Sequence, residues 1–188
     1  MNKIIVMLML MSFMSCKSNS QQGNTESPNS EEITSGSELE VEKRATETNF
    51  KNSKGEVIAK IVKSPEEWAA ELGAQEYYVI REKGTERSFT SSLLKNKENG
   101  VYTCGACDLP LFLSDTKFKS GTGWPSFYQP IDKEVILEDT DYDLGYARTE
   151  VLCRRCEGHL GHVFKDGPKP TGLRYCINGV SLNFEKSK

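Results

Sequence analysis

The stretch that decides the fold is Cys153-Arg-Arg-Cys-Glu-Gly-His-Leu-Gly-His-Val-Phe164, which is followed after a short loop by Arg174-Tyr-Cys-Ile-Asn178. It contains a closely spaced cysteine pair, both histidines of the chain, and a lone cysteine near an arginine. A cysteine pair with this spacing typically needs a second pair to complete a metal site, and Cys104-Gly-Ala-Cys107 supplies one. Cys176 is left without a partner.

The two cysteine pairs predict a structural zinc site. Two thiolates at this spacing bind one tetrahedral ion from a tight turn, so two such turns fill all four positions and leave none for a catalytic water. The alternatives are two disulfides or two redox dithiols, which an exported protein permits. Because a disulfide within a CxxC motif closes a small strained ring, the sequence favours one zinc ion bound by Cys104, Cys107, Cys153 and Cys156.

The two histidines, His159 and His162, are separated by three positions. On a helix or turn this spacing places both imidazoles on one side, and Gly161 permits a sharp backbone path. Taken alone, such a pair is more often structural than catalytic, and the four cysteines already complete a metal site. The interpretation of the histidines therefore depends on Cys176.

Cys176 has Arg174 and Asn178 two positions to either side. On a strand, alternation places these three side chains on one face, with Tyr175 and Ile177 directed into the core. A cation beside a thiol lowers its pKa and favours the nucleophilic thiolate, while an amide can hold an oxygen atom. The common alternative is that Cys176 is a small buried apolar residue. Its polar neighbours favour a reactive thiol instead.

Trp124 lies in an unusual loop, Phe118-Lys-Ser-Gly-Thr-Gly-Trp-Pro-Ser-Phe127. Two glycines free the backbone and Pro125 stiffens it, so the indole ring is presented at a fixed place. The ring can line a pocket for an apolar group, or it can belong to the core beneath the loop.

The rest of the chain predicts a mainly β fold with short helices at its start. Ser64, Pro65 and Glu67 form a helix-start signal, and a second helix is expected over residues 74–83, ended by Gly84. Short strand-like runs separated by turn residues then indicate antiparallel pairing. These runs span residues 101–103, 109–113, 126–128, 135–137, 147–152, 162–164, 175–177 and 180–184.

The first 54 residues predict export and tethering. Residues 1–15 have a short basic start and an apolar run too short to anchor the chain in a bilayer, which is typical of an export signal. Cys16 follows in a setting that resembles a bacterial lipoprotein cleavage site, so we expect it to carry a lipid. Residues 16–54 are polar and predict a flexible tether, and residues 55–188 form the domain. The alternative is a plain secretory signal that releases a soluble secreted or periplasmic protein.

The expected location is the bacterial cell envelope, lipid-anchored and facing the periplasm or the cell surface. The 188 residues carry a net charge of only −3 with both signs interspersed. This balance gives no electrostatic footprint for nucleic acid.

Together these motifs resemble the B-type methionine sulfoxide reductases, which act on methionine-R-sulfoxide. The resemblance covers roughly residues 64 to 186 and rests on six separate motifs in this order. They are Arg81-Glu-Lys-Gly-Thr-Glu86, Cys104-Gly-Ala-Cys107, Ser120-Gly-Thr-Gly-Trp-Pro-Ser-Phe127, the pair Cys153 and Cys156, His159-Leu-Gly-His-Val-Phe-Lys-Asp-Gly-Pro168, and Arg174-Tyr-Cys-Ile-Asn178.

The resemblance implies two antiparallel sheets in a tent-like arrangement with one structural zinc. It implies that Cys176 attacks the sulfoxide sulfur of oxidised proteins, that His159, His162 and Asn178 position and protonate the sulfoxide oxygen, and that Arg174 activates the thiol. Trp124 would contact the substrate methyl group. Cys176 is left as a sulfenic acid, which a thiol must reduce.

One departure from the family concerns the second half of the cycle. Many family members carry a resolving cysteine where this chain has Thr122, and threonine cannot form a disulfide. We therefore expect an external thioredoxin-like protein or small thiol to reduce the sulfenic acid. Two other functions remain open at this point: a zinc-stabilised binding module without catalysis, and a thiol-disulfide oxidoreductase that uses a CxxC pair.

Overall fold

A computed structural model of the chain describes residues 47–188. The predicted export signal, Cys16 and most of the predicted tether lie outside the described residues. Two short strands, β1 (Asn49–Lys51) and β2 (Val57–Ala59), pair as an antiparallel hairpin in which Phe50 is buried. The domain boundary predicted at residue 55 lies between these two strands. Ordered structure therefore begins before residue 55, because the apolar Phe50 of the otherwise polar segment packs into the core.

Two short helices follow. Helix α1 (Pro65–Glu71) begins with the predicted capping box, in which Ser64 and Glu67 each accept a hydrogen bond from the backbone N–H of the other. Helix α2 (Ala74–Ile80) ends three residues before the predicted end at residue 83. The left-handed residue that closes it is Lys83, with φ of 57°, rather than Gly84.

The β-structure is antiparallel throughout, as predicted. A six-stranded sheet has the order β5-β6-β10-β9-β8-β7, and a three-stranded sheet has the order β11-β3-β4. The strands are β3 (Gly100–Cys104), β4 (Pro110–Leu113), β5 (Lys117–Phe118), β6 (Ser126–Phe127), β7 (Ile136–Asp141), β8 (Arg148–Cys153), β9 (His159–Phe164), β10 (Arg174–Ile177) and β11 (Leu182–Lys186). Short 3-10 helices lie at Ser92–Leu94, Ser114–Thr116, Lys133–Val135 and Gly179–Ser181. Within residues 47–188, no helix has the length and apolar content needed to cross a membrane.

An aromatic cluster joins the two larger sheets. Phe112 of β4 stacks on Phe127 of β6 with ring centroids 4.4 Å apart, and Tyr102 of β3 contacts Phe127 edge-on at 5.0 Å. Tyr175 and Ile177 of β10 are buried on this side of the sheet, as strand alternation predicts. Burial of each such side chain contributes about 1.5–3 kcal/mol. The core thus fixes strand β10, and with it the opposite face that carries Cys176.

Candidate active site

Cys176 belongs to a row of polar side chains that crosses the six-stranded sheet. Its register partners are Ser126 on β6 and His162 on β9, and His162 is in turn paired with Glu150 on β8. Directly paired residues of antiparallel strands point to the same face. The row therefore brings a hydroxyl, a thiol, an imidazole and a carboxylate together from four different strands.

A β-bulge places His159 on the same face as His162. Gly161 pairs with Val151 and His159 pairs with Leu152, so Leu160 is the extra residue of strand β9. The imidazole centroids are 5.4 Å apart. The sequence predicted that the two imidazoles share one side but attributed this to a helix or turn, which is wrong. Both histidines lie on strand β9, and the extra residue of the bulge brings His159 to the face that carries His162.

His159 is held by a buried carboxylate. Its Nδ1 lies 2.7 Å from Glu150 Oε1, and Glu150 Oε2 accepts a hydrogen bond from Lys83 Nζ at 2.8 Å. Burial opposes ionisation of Glu150, but the bonds from His159 and Lys83 outweigh it and lower its pKa. An ionised carboxylate only accepts hydrogen bonds, so Nδ1 of His159 carries the proton. Its Nε2 is buried and has no hydrogen-bond partner among residues 47–188, so it can meet a ligand.

His162 has a carboxylate partner of its own. Its Nε2 lies 2.7 Å from Asp141 Oδ2, which also pairs with Arg148. The backbone N–H of Asp143 and the neighbouring His162 and Arg148 lower the pKa of Asp141 to about 2. Burial lowers the pKa of His162, despite the opposing effect of Asp141. At neutral pH His162 is therefore a neutral imidazole oriented by a carboxylate.

The sequence analysis did not identify Glu150 or Asp141 as site residues. The signal for Glu150 is a carboxylate in a strand-like run, directly before the apolar Val151 and Leu152, and the structure leaves it only 1% exposed. Carboxylates are almost never fully buried without a partner. Asp141 gives no comparable signal, because it precedes a polar loop in which acidic residues are common.

Cys176 is half-buried, and its sulfur lies 3.7 Å from Thr122 Oγ1. Arg174 forms a two-pronged ion pair with Asp166, with both N···O distances at 2.9 Å. Burial raises the pKa of Cys176, and this outweighs the lowering contributed by Thr122 and Arg174. Arg174 therefore acts toward the thiolate, but its cation is shared with Asp166, and burial has the larger effect on the pKa of Cys176.

Trp124 and Asn178 are joined through Glu86, which the sequence analysis placed only within a motif. The indole Nε1 donates to the Glu86 carbonyl at 3.1 Å, and the Glu86 N–H donates to Asn178 Oδ1 at 3.1 Å. The Glu86 carboxylate accepts from the N–H groups of Gly179 and Val180. Burial raises the pKa of Glu86, although those two donors oppose the shift.

Asn178 makes a second bond, from Nδ2 to the Leu160 carbonyl at 3.2 Å, and is buried. Its amide is therefore largely occupied by the backbone. The prediction that Asn178 shares a free face with Arg174 and Cys176 fails at this residue, because β10 ends at Ile177 and the chain turns into a 3-10 helix.

The four predicted metal ligands are brought together at a distance from these groups. All four sulfur atoms of Cys104, Cys107, Cys153 and Cys156 lie within 4.8 Å of one another, and all four side chains are buried. The sulfurs of Cys104 and Cys156 are 3.7 Å apart, and those of Cys107 and Cys153 are 3.6 Å apart. A disulfide needs about 2.05 Å. A zinc tetrahedron with bonds of about 2.3 Å has edges of about 3.8 Å.

The two metal turns share one backbone design. The residue after each pair, Asp108 or Glu157, has a left-handed φ, and its N–H donates back to the carbonyl of the first cysteine. Hydrogen bonds among the thiols, followed by burial, raise the pKa of Cys104 and Cys153. A divalent ion would stabilise the thiolates that this burial disfavours. The donor set therefore fits one zinc ion that joins β3 to β8, as predicted, and leaves no cysteine of the set for turnover.

Comparison with known proteins agrees with this arrangement. Residues 72–186 match the model of the SelR domain. A peptide methionine sulfoxide reductase MsrB of Leptospira interrogans is 56% identical over 124 residues, which cover 66% of this chain and 95% of the relative. The chain belongs to the B-type methionine sulfoxide reductases. Relatives of the same printed name from Methanosarcina barkeri and Pseudomonas putida are 60% and 57% identical, and the matches cover 88% and 96% of their lengths.

Within this B-type reductase, the loop at Thr122 adjoins the thiol at Cys176. Thr122 Oγ1 is 2.9 Å from Ser120 Oγ, which lies 2.7 Å from Ser126 Oγ. Three hydroxyl groups therefore line the side of Cys176 opposite to the histidines. None of them can form a covalent bond to sulfur under redox turnover.

Proposed function

We propose that this chain reduces methionine-R-sulfoxide in oxidised proteins to methionine, with Cys176 as the nucleophile. The observation that carries the proposal is the pairing of Cys176 with His162, next to a His159 Nε2 that has no hydrogen-bond partner in the described part of the chain. A thiol beside two carboxylate-oriented imidazoles is suited to a reaction that needs a nucleophile and a proton donor. Family membership and this arrangement favour the enzyme over a non-catalytic zinc-stabilised binding module.

In the first step, the Cys176 sulfur attacks the sulfoxide sulfur and forms an S–S bond, while the thiol proton and one proton from His159 reach the sulfoxide oxygen, which leaves as water when the S–O bond breaks. Water then attacks the Cys176 sulfur, the S–S bond breaks, methionine leaves, and one proton returns to His159, so that Cys176 is left as a sulfenic acid. The sulfoxide is thereby reduced by two electrons and the thiol oxidised by two.

His159 is the proposed proton donor, because the Glu150 carboxylate at its Nδ1 would stabilise the positive charge of the ring when both ring nitrogens carry a proton. His162, which is neutral and held by Asp141, is proposed to position the sulfoxide oxygen. Asn178 is proposed to support this arrangement through its hydrogen bond to the Leu160 carbonyl. The charge of Arg174 offsets part of the rise that burial causes in the pKa of Cys176. Trp124, anchored at Glu86, is proposed to contact the substrate methyl group.

The second step uses an external thiol. A thioredoxin-like protein or a small thiol attacks the sulfenic acid and releases water, and a mixed disulfide forms at Cys176. A second thiol then releases the enzyme thiol and an oxidised reductant. Zinc binding occupies Cys104, Cys107, Cys153 and Cys156, and Thr122 has no thiol, which supports an external rather than an internal reductant.

Turnover of a methionine-R-sulfoxide peptide with dithiothreitol tests the proposal, with the S epimer as a control. We expect R-specific turnover by the full chain, and loss of at least about 10³-fold in kcat for Cys176→Ser. Retained activity in that variant would exclude the mechanism. A folded, zinc-loaded wild type that binds oxidised peptide without turnover would favour the binding module.

We further propose that residues 1–15 direct export and that Cys16 is lipidated, so that the enzyme serves envelope proteins from a membrane anchor. The proposal rests on the short apolar run and on the position of Cys16 directly after it. Labelling of cells with a radioactive fatty acid tests it: label should enter the wild-type chain and be absent from Cys16→Ala. A processed, unlabelled wild type in the soluble fraction would instead support the plain secretory signal.

A further inference from the structure

A cavity of about 700 Å³ lies at the free edge of the six-stranded sheet, against strand β5. We call it the edge cavity. Phe89, Leu94 and Phe118 supply apolar surface, and Lys95, Lys97 and Lys119 are the exposed lysines that line it. The proposed function uses none of these six residues.

The edge cavity is close to the reactive thiol. Phe118 on β5 pairs with Ser126 on β6, and Ser126 pairs with Cys176 on β10. Two strand spacings separate Phe118 from Cys176, which is about 10 Å. An extended peptide rises about 3.3 Å per residue, so a sulfoxide at Cys176 places a residue about three positions away at the cavity.

Phe89 is the least expected residue of the cavity wall. It has a φ of 66° and its side chain is 66% exposed. A bulky residue rarely adopts this conformation, and an exposed ring gains nothing from folding. The Phe89 N–H donates to the Gly123 carbonyl at 2.8 Å, directly before Trp124. The backbone therefore presents an apolar ring to solvent beside the proposed substrate loop.

The net charge of the cavity lining is positive. Lys95, Lys97 and Lys119 form no ion pair with any other residue of the described chain, whereas Glu98 is paired with Lys186 at 2.7 Å. Lys117 is turned inward and donates to two backbone carbonyls. Three uncompensated lysines around an apolar surface are complementary to an apolar side chain with carboxylates nearby.

We propose that the edge cavity binds the segment of an oxidised polypeptide about three residues from the methionine sulfoxide, and that it selects an apolar side chain flanked by carboxylates. This inference rests on the proposed function, since it assumes that the sulfoxide reacts at Cys176. Free methionine sulfoxide is too short to reach the cavity. The cavity therefore adds affinity only for peptides and proteins.

The test compares two methionine-R-sulfoxide peptides that both carry Phe three positions from the sulfoxide. They differ only in the residues on either side of this Phe, which are Asp in one peptide and Lys in the other. The full-length wild type is compared with Lys95→Glu/Lys97→Glu, and Lys133→Glu/Lys188→Glu provides the same charge change elsewhere on the chain. Phe89→Asn removes the ring and suits the left-handed backbone. A free methionine-R-sulfoxide derivative reports the basal activity.

We expect the wild type and the control variant to prefer the acidic peptide about tenfold in kcat/KM, equivalent to about 1.4 kcal/mol. Lys95→Glu/Lys97→Glu should abolish that preference. Phe89→Asn should lower kcat/KM for both peptides by the same factor, and all variants should reduce the free derivative at the same rate. Equal use of both peptides by the wild type, or an unchanged preference after charge reversal, would overturn the inference. Anisotropy with a labelled acidic peptide gives a readout that does not need turnover, so failure of the proposed function would be recognised separately.

Discussion

Cys176 lies directly opposite His162 in the antiparallel pairing of β10 with β9, so the thiol and the imidazole share one face of the sheet. The relationship depends on backbone register rather than on flexible side chains. Slipping either strand by one residue would turn its side chain to the opposite face. The core residues Tyr175 and Ile177 on the other face prevent such a slip, which couples the packing of the domain to the geometry of its reactive centre.

Removal of the Arg174 charge should raise the pKa of Cys176 further, and freeing Arg174 from Asp166 should lower it. Burial already raises this pKa, and Arg174 opposes that shift. Because the thiolate forms as pH rises through the pKa, Arg174→Gln should slow alkylation of Cys176 at neutral pH roughly three- to tenfold, and Asp166→Asn should accelerate it. Alkylation of the Cys176 peptide by iodoacetamide, followed by mass spectrometry over a pH series, measures both changes.

Lys165→Gln, which removes a neighbouring cation, serves as the control and should leave the alkylation profile in place. Movement of the profile in the same direction in Arg174→Gln and Asp166→Asn would mean that the pair acts only as structural support.

Replacement of Glu150 by glutamine should reduce kcat about 10²-fold and leave KM within about threefold. Glutamine keeps an oxygen that accepts from His159 Nδ1 but removes the charge that stabilises the protonated ring during transfer. The surface pair between Glu71 and Lys63 offers a matched control, since Glu71→Gln makes the same chemical change far from the thiol. Steady-state kinetics at saturating peptide measures this loss of kcat. A kcat in Glu150→Gln equal to that of the wild type would show that Glu150 has no part in the mechanism.

The nature of the site follows from the sequence more directly than its geometry does. Cys176, His159 and His162 are identified by residue type and spacing, because few other groups in the chain do thiol and proton chemistry. The alternation of β10 predicts which face carries Cys176, since Tyr175 and Ile177 are strongly apolar. These inferences are local, and the structure agrees with the positions that they give to these residues.

Long-range partners could not be predicted in the same way. Glu150 meets His159 only because Leu160 is a bulge, and a bulge leaves no distinct signal in a run such as His-Leu-Gly-His. Asn178 lies just beyond the end of a strand, where alternation ceases to apply. Glu86 contacts Asn178, 92 positions away, through its backbone N–H, and Gly179, 93 positions away, through its carboxylate, and residue type reveals neither contact.

Loss of one zinc ligand should destabilise the fold of the domain rather than slow its chemistry directly. Cys107→Ser should contain far less than one zinc per chain and lose at least about 3 kcal/mol of folding free energy, or about 10 °C in Tm. Elemental analysis and thermal unfolding provide the measurements. Cys176→Ser is the matched control, because it also replaces one thiol but should keep both zinc and Tm. An unchanged Tm in metal-free Cys107→Ser would show that the cysteine cluster folds without an ion.

Alanine at Gly161 should disrupt the site more than alanine at Gly145, which also has a positive φ. The φ angles are 155° at Gly161 and 79° at Gly145, and a Cβ at Gly161 would overlap the Cys176 carbonyl, whereas no atom of residues 47–188 beyond the adjoining residues lies within 4 Å of one at Gly145. Gly161→Ala should therefore cost at least about 3 kcal/mol and lower kcat, and Gly145→Ala about 1 kcal/mol with normal kcat. Urea unfolding and kinetics on both variants test this, and equal losses would contradict the close approach of β9 to β10.

Introduction of a thiol at Thr122 should convert the cycle from an external to an internal reductant. Thr122 Oγ1 lies 3.7 Å from the Cys176 sulfur, so a cysteine at this position needs only a small rotation to reach bonding distance. During one turnover without added thiol, the wild type should accumulate a sulfenic acid that dimedone traps at Cys176. Thr122→Cys should instead lose two mass units and give less than about a tenth of the dimedone adduct. Ser120→Cys, one contact farther from the sulfur, provides the positional control and should leave most of the adduct. A disulfide to Cys176 in the wild type would overturn the external route, because it would reveal a resolving thiol among the cysteines assigned to zinc or lipid.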